Sequence, residues 1–91
     1  MDRIDEIKEE IAEVNPEALF ADGFEGALLG YVQRFGMAPV PLYDCEKCIQ
    51  ILVARDGMER DEAAEYFEFN VLGAWMGEGT PAFAVLFDST P

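Results

Sequence analysis

Three places in the chain combine residue types at a spacing that could do chemistry. They are Cys45-x-x-Cys48, the pair Glu65 and Glu68, and the run Gly77-Glu78-Gly79-Thr80. A CxxC pair can cycle between dithiol and disulfide or supply half of a zinc site, and a thiol at a helix start is acidified by the helix dipole. Zinc asks for four ligands, and the chain has only these 2 Cys and no His. Asp44 and Glu46 flank Cys45 with negative charge, and Lys47 is a weak counterweight. Two small hydrophobes on the apolar stripe of a helix is the reading these neighbours favour. Glu65 and Glu68 lie three apart, and Phe67 and Phe69 flank Glu68, so partial burial would raise a carboxyl pKa as acid catalysis requires. Without His, a Ser–base pair or a metal cluster beside them, they read as a solvated acidic face. The Gly77–Thr80 run lacks the Lys of a phosphate loop, follows a helix instead of opening one, and carries an acid at its centre, so it reads as a turn. No catalytic residue, cofactor or metal is expected.

The elements that would position these residues follow from periodicity. Ile4, Ile7, Ile11 and Val14 recur at helical spacing with acids between them, which predicts a helix over 3–14 capped by Asp2 and stopped at Asn15-Pro16. Pro16-Glu17 can open one further turn, and Asp22-Gly23 marks another. Ala27 to Phe35 predicts a strand, Gly36-Met37 a reversal, and Ala38 to Tyr43 its antiparallel partner. Pro39 and Pro41 place that partner at a sheet edge. Asp44 caps a helix over Cys45–Arg55, with Cys45, Cys48, Ile49, Leu52 and Val53 as its stripe and Gly57 as its left-handed stop. A second helix over Glu59–Leu72 carries a wide apolar face of Ala63, Ala64, Tyr66, Phe67, Phe69 and Val71, ending near Gly73. Asn70 is expected as a satisfied buried amide or a cap. Ala82 to Phe87 predicts a closing strand. The order α-β-β-α-α-β implies one α+β domain over 1–91, with about three helices packed on one face of a small antiparallel sheet of about three strands.

Ninety-one residues, 51% of them hydrophobic, can fill one thin core but not two. Nineteen Asp and Glu against six Lys and Arg give a net charge of −13, which repels nucleic acid and anionic lipid and attracts basic partners. The two central helices have helix-turn-helix spacing, yet the second offers Glu59, Asp61, Glu62, Glu65 and Glu68 against Arg60, so direct DNA binding is not expected. Met1-Asp2-Arg3-Ile4-Asp5-Glu6 has neither the basic nor the apolar region of a secretory signal, and no run is long enough to span a membrane. A cytoplasmic location is expected.

The blocks DGFEGALLGY (Asp22–Tyr31), YDCEKCIQIL (Tyr43–Leu52), RDGM (Arg55–Met58) and EYFEFNVLGAWMGEGTP (Glu65–Pro81) together resemble a family of small acidic proteins of tailed bacteriophages and bacterial prophages. The resemblance spans Leu19 to Phe83 and implies a phage accessory protein acting in a bacterial cytoplasm. It carries no activity and no site residues. One departure is Glu59, where a Ser or Thr would close a capping box with Glu62.

Two acidic rows are the remaining candidate site. Asp61, Glu65 and Glu68 follow one another at i, i+4 and i+7 with Glu62 beside them, and Glu6, Glu9, Glu10 and Glu13 form a second row on the first helix. Like charges at such spacings cost a few tenths of a kcal/mol per pair, which a basic partner would offset. The expected function is therefore an acidic inhibitor that occupies the nucleic-acid-binding surface of a basic host protein, a DNA mimic of anti-restriction or anti-CRISPR type. The alternative is a structural homo-oligomer, because Trp75, Met76, Phe83, Phe87, Tyr31 and Phe35 exceed what a thin core can hold.

Overall fold

The computed structural model describes residues 3–87. Helix α1 (Arg3–Val14) buries Ile11 and half-buries Ile4 and Ile7, the three positions that a 3.6-residue period puts on one side. Asp2, expected as its cap, lies outside the described residues. Asn15 ends the helix and stays buried. Its Nδ2 donates to the Pro39 carbonyl at 2.8 Å, and its Oδ1 accepts the Glu17 N–H at 3.1 Å.

A short 3-10 turn (Glu25–Ala27) leads into β1 (Leu28–Arg34), which pairs antiparallel with β2 (Met37–Asp44). Leu28 faces Tyr43 and Val32 faces Val40, with irregularities between Leu28 and Gly30 and between Val32 and Arg34. The reversal is made at Phe35-Gly36, where Gly36 takes φ +79°.

Asp44 caps α2 (Cys45–Asp56) as the sequence predicts: its carboxylate accepts the N–H groups of Glu46 at 3.0 Å and Lys47 at 3.4 Å. Gly57 ends α2 at φ +70° and returns its N–H to the Val53 carbonyl. Helix α3 (Arg60–Phe67) starts from Glu59. The Glu62 carboxylate accepts the Glu59 N–H at 3.4 Å, so the capping box forms with Glu in the place of Ser or Thr. The helix then widens into a π-helical turn (Glu68–Leu72) that stops at Gly73.

The last strand, β3 (Ala82–Ala84), is shorter than the expected 82–87 and pairs with β2 in parallel. The sheet order is β1-β2-β3, so the sheet is mixed where an all-antiparallel one was expected. A parallel neighbour requires a crossover, and α2, α3 and the following loop supply it. β2 is consequently the central strand and not an edge. Its two prolines are still tolerated, because β3 meets β2 only at Leu42–Asp44 and leaves the Pro39–Pro41 stretch without a second neighbour. The α+β class and the element order are those read from the sequence.

The core gathers around Tyr43, with Phe24, Ala27, Leu28, Cys48, Leu52, Ala63 and Phe67. Phe83 stacks on Tyr43 at 5.6 Å between centroids and meets Phe67 edge-on at 5.2 Å. Each large side chain buried this way contributes roughly 1.5–3 kcal/mol. The Tyr43 hydroxyl accepts the Ala21 N–H at 2.9 Å, which fastens the segment before β1 to the core.

Candidate protein-interaction surface

Helix α3 packs on α2; Ala63 and Phe67 are its buried positions, and Ala64, with Val71 in the π turn that follows, is half-buried. Those positions fix the opposite side of the helix as the outward one. Asp61, Glu62, Glu65 and Glu68 are all exposed there, in one row with Glu62 beside it, as periodicity requires. The wide apolar face expected for this helix is narrower in the fold. Tyr66 and Phe69 are displaced from the Ala63–Phe67 side, and Phe69 is 77% exposed. Asn70 is also exposed and donates to the Tyr66 carbonyl at 3.2 Å, so it is a surface amide and not a buried one.

On α1 the second row, Glu6, Glu9, Glu10 and Glu13, occupies the face opposite Ile4, Ile7 and Ile11 and is exposed throughout. Glu6 and Glu10 border a shallow recess with Arg3, Leu29, Gly30 and Tyr31, whereas Glu9 and Glu13 border a separate hollow with Ala12. α1 packs chiefly on β1 and β2 and α3 chiefly on α2, so the two rows ride on different elements.

Three of the six Lys and Arg pair with acids outside the rows. Among the described residues the ion pairs are Lys8–Glu25, Arg55–Asp56 and Arg60–Glu46, and none involves the eight acids of the two rows. The Arg60 guanidinium, hydrogen-bonded to Glu46 across the α2–α3 hairpin, holds that carboxyl below its usual range. Arg55 does the same for Asp56. Backbone N–H groups, with help from Lys8, lower Glu25.

The remaining sequence candidates resolve as follows. Cys48 is fully buried, and desolvation, with negative neighbours, pushes its thiol up to about 12. Cys45 is half-buried and is raised by the same cause and by Asp44. A thiol held protonated is neither a nucleophile nor a ready metal ligand. Gly77–Thr80 forms a turn: the Thr80 N–H reaches the Gly77 carbonyl at 3.2 Å, and the Thr80 hydroxyl donates to that carbonyl while accepting the Met76 N–H.

Sequence reasoning missed one feature. Behind the π turn, Leu19, Phe20, Val71, Met76 and Phe83 wall an open apolar groove of about 340 Å³, with Asp22, Asn70 and Thr80 as polar members. Its walls come from three distant segments, so no local motif could announce it. Only the surplus of large apolar residues hinted at it. Of that surplus, Phe83 is absorbed into the core, while Trp75 and Met76 are each 72% exposed and Phe35 and Phe87 fully or nearly so. No described helix is long and apolar enough to cross a membrane. Comparison with known protein families, with curated proteins and with solved structures finds no match to the chain.

Proposed function

We propose that this protein is an acidic, non-enzymatic interaction protein, phage-encoded and acting in the bacterial cytoplasm, that binds a basic nucleic-acid-binding host protein and blocks its surface. The observation that supports this reading is that, among the described residues, no ion pair involves the rows Asp61/Glu62/Glu65/Glu68 and Glu6/Glu9/Glu10/Glu13, the pairs falling on other acids. An unneutralised carboxylate row on a molecule of net charge −13 is steered toward cationic surfaces and competes there with phosphate. The resemblance of the Asp22–Tyr31 and Glu65–Pro81 blocks to small acidic phage proteins would make the bacterial host the source of that partner.

The test is affinity capture from bacterial lysate at low salt, followed by DNA displacement from whatever is captured. A nucleic-acid-binding protein that loses its DNA to this chain, and is lost by Asp61→Asn/Glu65→Gln/Glu68→Gln, is the expected result. Recovery of no such protein, or equal capture by the triple variant, overturns the reading. A second reading, a homo-oligomeric assembly component, is favoured by the exposure of Trp75, Met76, Phe35 and Phe87. A monomeric mass by light scattering across concentration removes it.

A further inference from the structure

The outward side of α3 and its π turn changes character along its length. The first two turns present Asp61, Glu62 and Glu65; the next presents Glu68 together with Phe69 and Leu72, followed by exposed Trp75 and Met76. Met76 also forms part of the wall of the apolar groove bounded by Leu19, Phe20, Val71 and Phe83. A carboxylate strip therefore runs into an apolar strip that ends at a concave site.

Among the described residues no ion pair reaches the carboxylate strip, although Arg60 lies close enough to feel the charge of Asp61, and Phe69, Leu72, Trp75 and Met76 are exposed. The cation on α3, Arg60, is bound to Glu46 on α2. Two further cations approach the groove's wall residues, Lys8 over Phe20 and Arg55 over Phe24, and each is paired to its own acid, Glu25 and Asp56. Apolar side chains exposed to this degree beside a recess mark a docking surface. The charge beside them selects the occupant. A second copy of this chain would bring its own carboxylate strip and add repulsion at −13 per protomer.

We infer that the α3 face and the adjoining groove dock a cationic amphipathic segment of a partner protein, its Lys or Arg side chains against Asp61, Glu62 and Glu65 and its apolar side chains over Phe69, Leu72 and Met76 and into the groove. Resting on the interaction role proposed above, the apolar half narrows the class of partner: a basic surface without adjacent apolar side chains fills only half of the site. Desolvated apolar anchors give such a complex affinity that salt does not remove, while the acids set its encounter rate.

The protein's single Trp, Trp75, is a reporter within the strip. Two Trp-free peptides of identical composition, rich in Lys, Leu and Ile, would be titrated against it. One clusters its apolar residues along one side of a helix with lysines at one end; the other is scrambled. The amphipathic peptide is expected to bind about tenfold tighter, shift Trp75 emission to the blue and retain binding at about 0.5 M NaCl, where exposed charge pairs are screened. Phe69→Ser/Met76→Ser, at exposed positions that leave the thermal melt unchanged, is expected to abolish the preference. Equal binding of both peptides overturns the docking inference and leaves the interaction role standing. Binding of neither overturns both. A dimer in light scattering that the Phe69→Ser/Met76→Ser variant dissolves assigns the face to a second copy and overturns the inference as well.

Discussion

Single side chains in this protein are decided by burial more than by their chemical type. Cys48 has the motif of a redox thiol and the surroundings of a leucine, so alkylation at pH 8 is expected to modify it only after unfolding, as peptide mass spectrometry of native and denatured samples would reveal. Its thiol and the Tyr43 phenol are both raised by desolvation. Groups whose folded pKa exceeds the unfolded one add stability that is complete below the unfolded value and is lost as pH rises through the folded one. For Cys48 that window runs from 9.0 to about 12. The urea midpoint is therefore expected to fall across this alkaline range, and a flat profile would contradict the burial of both groups. Gly79 is the other sensitive residue. A Cβ there would collide with the Glu17 carbonyl oxygen, and the Gly79 carbonyl accepts the Leu19 N–H at 2.9 Å. Gly79→Ala is expected to cost about 2 kcal/mol in urea unfolding, since the obstacle is backbone and cannot rotate away.

Elements form where local signals and packing agree. Asp44 caps α2 with its side chain largely buried, so Asp44→Ala should cost about 1–2 kcal/mol, read as a lowered melting temperature with unchanged far-ultraviolet dichroism at low temperature. The exposed Arg60–Glu46 pair between α2 and α3 is a different case, and Arg60→Ala should leave the melting temperature nearly unchanged. Helix α1, the β1–β2 hairpin, α2 with both its ends, and the start of α3 were legible because each is specified by nearby residues: isoleucines at helical spacing, Gly36, Asp44, Gly57. The sense of β3 was not, because three residues that pair some 40 positions away carry no local mark of direction. The π turn was invisible for a related reason: inserting one residue into a helical turn leaves composition unchanged and moves only which side chains look outward. Tyr66, on α3 ahead of that turn, and Phe69, within it, are both exposed because each falls away from the Ala63–Phe67 side.

For the molecule as a whole, charge and apolar exposure pull against each other. A net charge of −13 destabilises the compact state by self-repulsion, so adding NaCl to about 0.5 M should raise the melting temperature, and insensitivity to salt would mean that the carboxylates are too dispersed to act together. The acidic rows could be listed from the sequence, but their standing outside the ion pairs of the described residues could not, since that depends on where Arg55, Arg60 and Lys8 fall in space. The groove was likewise beyond reach, being an agreement among the 19–24 segment, the π turn and the approach to β3.

The stacking of Phe83 on Tyr43 and Phe67 has a temporal side. During synthesis Tyr43 and Phe67 leave the ribosome before Phe83, so the nascent chain passes through a stage in which the slot beside strand β2 lacks the ring that fills it. A chain released before Ala82 keeps that slot permanently vacant. It is expected to be bound by chaperones and to display hydrogen exchange in β2 that the full-length protein suppresses.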